Sequence, residues 1–336
     1  MSQEMEEQGM NPDPWSVYEL ILGQVERGEA ERPLRIDQFV LGLTWTCCRI
    51  QGEAGFAQSP GMASRVLQFP GTVADRSAAE VAAWLKSWDP FAATAGLAAA
   101  NAVINSAANP LLHGAQVLEG SAPANLAVFE HFRAQLFGKQ VVVIGRYPGL
   151  DDVLDGLDVS VIERQPGTGD LPDPAAEFLL PQADWVFLTA TSLINKTFPR
   201  LVQLAKNAVT VLMGPSAPWL AELAAYDIDF LAGVVPVNVE NAVRIAAEGG
   251  GTRLFGDGVR YAVADIGTGS LNKLTERITQ ATALYAELNQ AMQTWYANGT
   301  RERFPRYAEL EQLSVLLADL ESAYKRQWDA RNGASA

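Results

Sequence analysis

Between residues 139 and 247 the apolar positions come in short unbroken runs: VVVIG (141–145), VSVIE (159–163), WVFLT (185–189), VTVLM (209–213) and FLAGVV (230–235). Helical stretches separate them at 149–155, 175–180, 198–207, 219–226 and 238–247. A run with no polar alternation is a strand buried on both faces. Strands of that kind alternating with helices make a parallel sheet covered on each side. The pattern predicts a doubly wound α/β unit over residues 126–264.

The rest of the chain follows other rhythms. Residues 1–13 read as a disordered tail, and 15–25 as an amphipathic helix with Val17, Leu20, Ile21 and Val25 apolar. A β-rich stretch covers 36–50, with Gly42 marking a turn or bulge, and 52–71 reads as an irregular loop. Two helices follow. The first is capped by Asp75 or Ser77, and the second starts near Pro90, so Ala-rich that neighbours can approach closely. Residues 14–125 are therefore an α+β unit, joined through 121–125 and a helix containing His131 to the next.

In 265–331, Leu271, Leu274, Ile278, Ala281, Tyr285, Leu288, Met292 and Trp295 recur at spacings of three and four. After a break at Asn298-Gly299 and Pro305, the rhythm returns at Leu310, Leu313, Leu317, Leu320, Tyr324 and Trp328. Two such seams predict an antiparallel helical hairpin that packs on its own body or makes a dimer contact. Residues 332–336 are a tail.

Composition narrows the function. The 336 residues are 48% apolar and 19% charged, with a formal net charge of −14. So acidic a surface disfavours nucleic acid, whose counterions must be displaced by Lys and Arg, and anionic membranes. There is no run of about 20 apolar residues, and the start MSQEMEEQGMNPDPW lacks a signal-peptide pattern. A cytoplasmic location is the expectation. Cys47 and Cys48 are adjacent, which suits neither a structural disulfide nor a zinc spacing. They are either opposite-facing strand residues or a reactive pair.

In a doubly wound sheet ligands bind beyond the carboxyl ends of the strands. Those ends carry Gly145-Arg146-Tyr147-Pro148-Gly149, then Glu163-Arg164 and the loop 167–174, then Thr189, Thr191, Ser192, Asn195, Lys196 and Thr197, then Gly214-Pro215-Ser216. Glu163 is either a ribose acceptor of the nucleotide or S-adenosylmethionine kind, or a carboxylate paired with Arg164. The first loop lacks G-x-G-x-x-G, and Tyr147 and Pro148 would obstruct a pyrophosphate, so an ordinary NAD site is disfavoured. Lys196 opens a helix, where an ammonium opposes the macrodipole unless it meets an anionic or carbonyl ligand. Asn195 and Thr197 are capping residues or ligand contacts. Asp170 and Asp173 suit turns, and His113 and His131 stand in no metal-ligand context, so no direct metal cluster is expected.

The stretches GRYPGL, VIERQPGTGDLPDPAAEFLLPQADWVFLTATSLINKT, MGPSAPW and DFLAGVVP resemble the Rossmann-like domain of the "Putative heavy-metal chelation" family, and GLTWTCCRIQGEAGF, FPGT and GLAAANAVINS resemble the domain preceding it. The resemblance implies an enolase N-terminal-like α+β domain followed by a Rossmann-like doubly wound parallel sheet, here with an added C-terminal hairpin. It implies a site between the two domains, formed by Glu163, Thr189, Asn195, Lys196 and Ser216, with Thr46, Asn101 and Asn105 reaching across. In this chain Arg146 stands where the family often has a histidine, and Thr189-Ala190-Thr191-Ser192 replaces a T-G-T-T turn. If that histidine is the family's general base, this chain lacks it, and Arg146 is suited to hold an anionic ligand instead.

The expected ligand is a small anionic or heterocyclic metabolite, pterin-, flavin- or siderophore-like, or a metal complex. Lys196 and Asn195 are the catalytic candidates. Gly145, Arg146, Glu163, Thr189, Thr191, Thr197, Ser216, Thr46, Asn101 and Asn105 are the binding candidates. The alternatives are a non-catalytic sensor or carrier of a metal complex or nucleotide, and an assembly protein that forms a homo-oligomer through 268–331.

Overall fold

The computed structural model describes residues 13–332 apart from 64–66, 68, 70, 72, 120–122, 300 and 301. Helix α1 (Ser16–Glu31) buries Val17, Tyr18, Ile21, Leu22 and Val25. It runs past residue 25 because only helix formers and one glycine follow until Arg32, which is extended ahead of Pro33.

The 36–50 stretch divides at Gly42 into β1 (Gln38–Leu41) and β2 (Trp45–Ile50), which pair antiparallel with β3 (Glu53–Gln58) in the order β1-β2-β3. Strand β3 lies inside the expected loop. Its Gly55 misled the composition argument, and the physical reason for that glycine is contact. A Cβ there would stand 2.0 Å from the Ala102 backbone nitrogen in helix α2 (Pro90–Ile104). The Asp89 carboxylate starts α2 by accepting from Phe91 N at 2.8 Å and Ala92 N at 3.1 Å, with Pro90 first in the helix. Alanines then let it lie directly on β3.

The larger sheet contains β4 (Gln116–Val117), β5 (Gln140–Ile144), β6 (Asp158–Ile162), β7 (Trp185–Thr189), β8 (Val209–Met213), β9 (Phe230–Pro236) and β10 (Val259–Asp265), ordered β4-β10-β9-β8-β7-β5-β6. Strands β5 to β9 are parallel, as their unbroken apolar runs require. Two strands absent from the sequence reading, β10 and β4, extend one edge antiparallel. The expected helix at 219–226 is a 3-10 helix, Ala221–Tyr226.

Both faces of the sheet are covered. Ile144, Leu188, Leu212 and Leu231 share one core with Ile21, Leu85 and Leu97 of the N-terminal segment. Val143, Phe187, Val211 and Ala232 point the other way, onto Phe129, Phe132 and α5 (Val239–Ala247), together with Phe56 of β3. Cys47 and Cys48 divide between these two cores, as successive residues of one strand must.

Helices α6 (Thr268–Ala297) and α7 (Tyr307–Asn332) form the hairpin, with Leu274, Ala281, Leu320 and Ala323 at its seam. The Arg326 guanidinium donates to the Asn207 carbonyl at 2.9 Å and lies 3.7 Å from Asp184. Asn207 and Asp184 precede β8 and β7, so the hairpin is anchored at the amino ends of the parallel strands. No described helix is long and apolar enough to cross a membrane.

Candidate functional site

The chain leaves β5 for β6 on one side and returns to β7 on the other, so a crevice opens where the carboxyl ends of β5 and β7 diverge. Gly145 lies there at φ +98°, and a Cβ on it would sit 3.3 Å from the Thr189 side chain. The Thr189 hydroxyl donates to Thr191 Oγ1 at 3.1 Å, which donates to Gln58 Oε1 at 2.9 Å. This chain of hydroxyls runs from the end of β7 to the end of β3 and links the two sheets. The backbone nitrogen of Gln58 in turn donates to Ser216 Oγ at 2.9 Å. The sequence carries no signal for Gln58, because residues 52–71 have the composition of a loop.

Behind that mouth, asparagines on one turn-repeat of α2 and its extension hold the segment after β8. Asn101 Nδ2 donates to both Phe56 O (2.9 Å) and Ser216 O (3.0 Å). Asn105 accepts from Trp219 N at 2.9 Å and donates to Ala217 O at 3.0 Å. Both residues do cross between the sheets, and their partners there are backbone. With both amide hydrogens of Asn101 engaged, its Oδ1 is fixed as an acceptor, buried and without a partner among the described residues. The Ser192 hydroxyl on α3 (Thr191–Ile194), which touches α2, is in the same condition. Such atoms cost about 1–3 kcal/mol each unless water or a ligand meets them.

Glu163 staples two loops. Its Oε2 accepts from Arg146 N at 2.8 Å, and its Oε1 from Arg164 N at 2.8 Å and Gln165 N at 3.3 Å. Much of the acceptor capacity that a ribose would use is thus spent. The Arg146 guanidinium is bound to Asp170 at 2.5 Å and to Asp151 at 2.7 Å. Asp170 is only 4% exposed, and Arg146 holds its carboxyl below the usual range. Tyr147 packs edge-on against Phe129 at 5.2 Å and places its buried hydroxyl beside Thr189 and below Gly214. Burial raises its pKa well above that of an ordinary phenol.

Lys196 stands on the far side of α3, between it and α4 (Phe198–Leu204). Its backbone is left-handed at φ +68°, its Nζ donates to Ile194 O at 2.9 Å, and the ammonium lies 5.5 Å from the centre of the Tyr18 ring. Partial burial brings its pKa down to about 8. No carboxylate pairs with it among the described residues. Asn195 Oδ1 accepts from Thr197 N (3.1 Å) and Oγ1 (2.6 Å), fixing the turn that presents the lysine. Thr46 is fully buried, its hydroxyl bonded to Ser59 Oγ at 2.9 Å, and lies within the β1–β2–β3 hairpins.

Two family models match, at residues 26–104 and 127–265, each described as "Putative heavy-metal chelation". The chain belongs to that family. Two solved structures share its fold. A crystal structure of a protein with unknown function from Desulfitobacterium hafniense is 28% identical, with a TM-score of 0.63, covering 75% of this chain and 98% of that one. A second, also of unknown function and from Pyrococcus horikoshii, is 22% identical with a TM-score of 0.59 over 73% of this chain and 99% of that one; it shows the fold. An uncharacterised protein of Methanocaldococcus jannaschii is 32% identical over 113 residues, 31% of this chain and 44% of that protein. The chain thus spans under half the length of that relative.

The family description implies a heavy metal. A soft ion needs thiolates or grouped imidazoles. Burial pushes the Cys47 thiol up to about 12 and Cys48 higher still, and the two side chains enter different cores. His113 Nε2 lies 2.7 Å from Ala107 O, and burial favours the neutral form of His131. Among the described residues no three His, Cys, Asp or Glu side chains gather as a metal site. These residues do not fit a soft metal held directly by the protein.

Proposed function

We propose that the crevice at the carboxyl ends of β5 and β7 binds a small anionic or heterocyclic metabolite of metal-chelator metabolism. The reading rests on the buried Asn101 Oδ1 and Ser192 Oγ, without partners among the described residues, behind the Thr189–Thr191–Gln58 chain. Lys196 stands across α3 from that chain and has no carboxylate partner among the described residues, so it is the cation for an anionic group that extends past α3. Metal, on this reading, arrives already held by the donors of its chelator, which reconciles the family description with the absence of fitting soft ligands among the described residues.

A carrier or sensor is favoured over an enzyme by the state of the carboxylates. Glu163 accepts from three backbone N–H groups and Asp170 is bound to Arg146, so both carboxylates hold loops together. Catalysis, in this arrangement, falls to the Lys196 amine with Asn195 positioning it.

Native mass spectrometry of the purified chain for a retained small molecule, followed by thermal shift against a panel of pterins, flavins and siderophores, tests the proposal. A hit should stabilise the protein, and Lys196→Ala should lose that stabilisation while keeping the fold. Undiminished stabilisation of Lys196→Ala removes the lysine from the site. Turnover of the hit selects the enzyme over the carrier.

A further inference from the structure

The hairpin has no part in that crevice. It is anchored at the opposite ends of the strands, and 98% of the Desulfitobacterium hafniense chain is matched by only 75% of this one, with the family models ending at residue 265. What the hairpin adds is surface. Its seam closes only partly: Leu274, Ala281, Leu288, Leu310 and Leu320 are buried, whereas Ile278, Leu313, Leu317 and Tyr324 stay half-open. A pair of helices leaves a groove on each side, and two more helices are needed to shut it.

The distribution of charge says what fits there. Residues 268–336 hold eight Lys or Arg and eight Asp or Glu, so the net −14 belongs entirely to the rest of the chain. Within α6 the only charged residue from Ile278 to Ala297 is Glu287, and α7 has none from Gln312 to Ala318. That charge-free centre exposes Val315 (63%) and Leu316 (43%), and charged residues flank it at Glu309 and Glu311 and at Asp319 and Glu321. An apolar, charge-depleted centre within a charged rim is the anatomy of a protein interface.

We infer that this face docks the hairpin of a second copy of the chain, closing a four-helix bundle. Elsewhere two copies would bring acidic bodies together; through the neutral hairpin they do not. Charge also selects the pairing. Antiparallel contact of α7 with its own copy about Val315 would set Glu311 against Asp319, so α7 lies on the charge-poor α6 of the other copy. The part of α7 ahead of the anchoring Arg326, residues 307–325, is about 28 Å of helix at 1.5 Å per residue, and two helices of about 10 Å width give about 570 Å² per partner, the area of a reversible dimer contact. Anchorage at the strand amino ends leaves both crevices open.

Sedimentation velocity or light scattering on the full chain at about 20 μM tests this, with the concentration chosen for a dimer of about micromolar Kd. Wild type should run at twice the chain mass, and Val315→Glu/Leu316→Glu at the single mass with unchanged far-ultraviolet circular dichroism. A milder Val315→Ser/Leu316→Ser variant, expected to raise the dissociation constant at least tenfold, guards against misfolding of the first. A monomeric wild type, or a dimer that survives both variants, overturns the inference.

Discussion

Asn105 is hydrogen-bonded to Trp219 and its neighbour as one peptide group is to another: it accepts from Trp219 N and donates to Ala217 O, at 2.9 and 3.0 Å. A side-chain amide thereby stands in for a strand partner on a segment that has none. Asn101, one turn earlier, donates to Ser216 O in the same way. The two sheets are tied through amide chemistry as well as apolar contact.

Asn105→Ala strips a buried N–H and a buried carbonyl of their partners at once. The expected loss is about 2–4 kcal/mol of unfolding free energy, measured by urea denaturation. A change under about 0.5 kcal/mol, the level of an inert surface substitution, would show that water replaces the amide.

Lys196 carries a pH signature. Its folded pKa, about 8, lies below the ordinary 10.5, so the unfolded chain binds more protons between those values. Stability from this group therefore rises as pH increases from about 8 to about 10.5 and is least below 8. Lys196→Met should melt higher than wild type at pH 7, by about 1 kcal/mol after allowance for its partial exposure. The advantage should shrink by pH 10.5. Paired melts across that range decide it, and a constant difference would count against desolvation as the cause.

Asp170 behaves in the opposite sense. Arg146 lowers its pKa from 3.8, so its contribution is present above that value and disappears as pH falls through the folded pKa. Asp170→Asn should be less stable than wild type at pH 7, and the gap should close only as pH falls through the lowered folded pKa. Melting curves at pH 7, 4 and 2.5 would reveal a persistent gap if packing rather than charge were responsible.

Gly55→Ala should cost about 2–3 kcal/mol, because β3 and α2 cannot part without opening the core. Chemical denaturation reads the loss directly. Near-wild-type stability would mean that the strand shifts freely along the helix.

The parallel strands were legible because burial on both faces writes itself as unbroken apolar runs, and the hairpin because its seam repeats. Strand β3 was hidden by Gly55, whose purpose is long-range contact with α2, and β10 by lying outside the alternation of strands and helices. The positions Gly145, Thr189 and Thr191 follow from the rule that strand ends bind ligands, and they do meet at the mouth. Gln58 could not be found that way, since its role depends on β3 ending beside Thr191. Nor could the spent state of Glu163, which comes from loop backbone folding around it.

Strand β4 occupies residues 116–117, and its partner β10 begins at residue 259. During synthesis at about 5–20 residues per second, β4 waits about 7–28 seconds for the strand it pairs with. The amides of Asn101 and Asn105 wait about 6–23 seconds for Ser216 to Trp219. The N-terminal segment therefore completes its strand and amide pairings only after the middle of the chain is made, and chaperone demand should track the time taken to translate that middle.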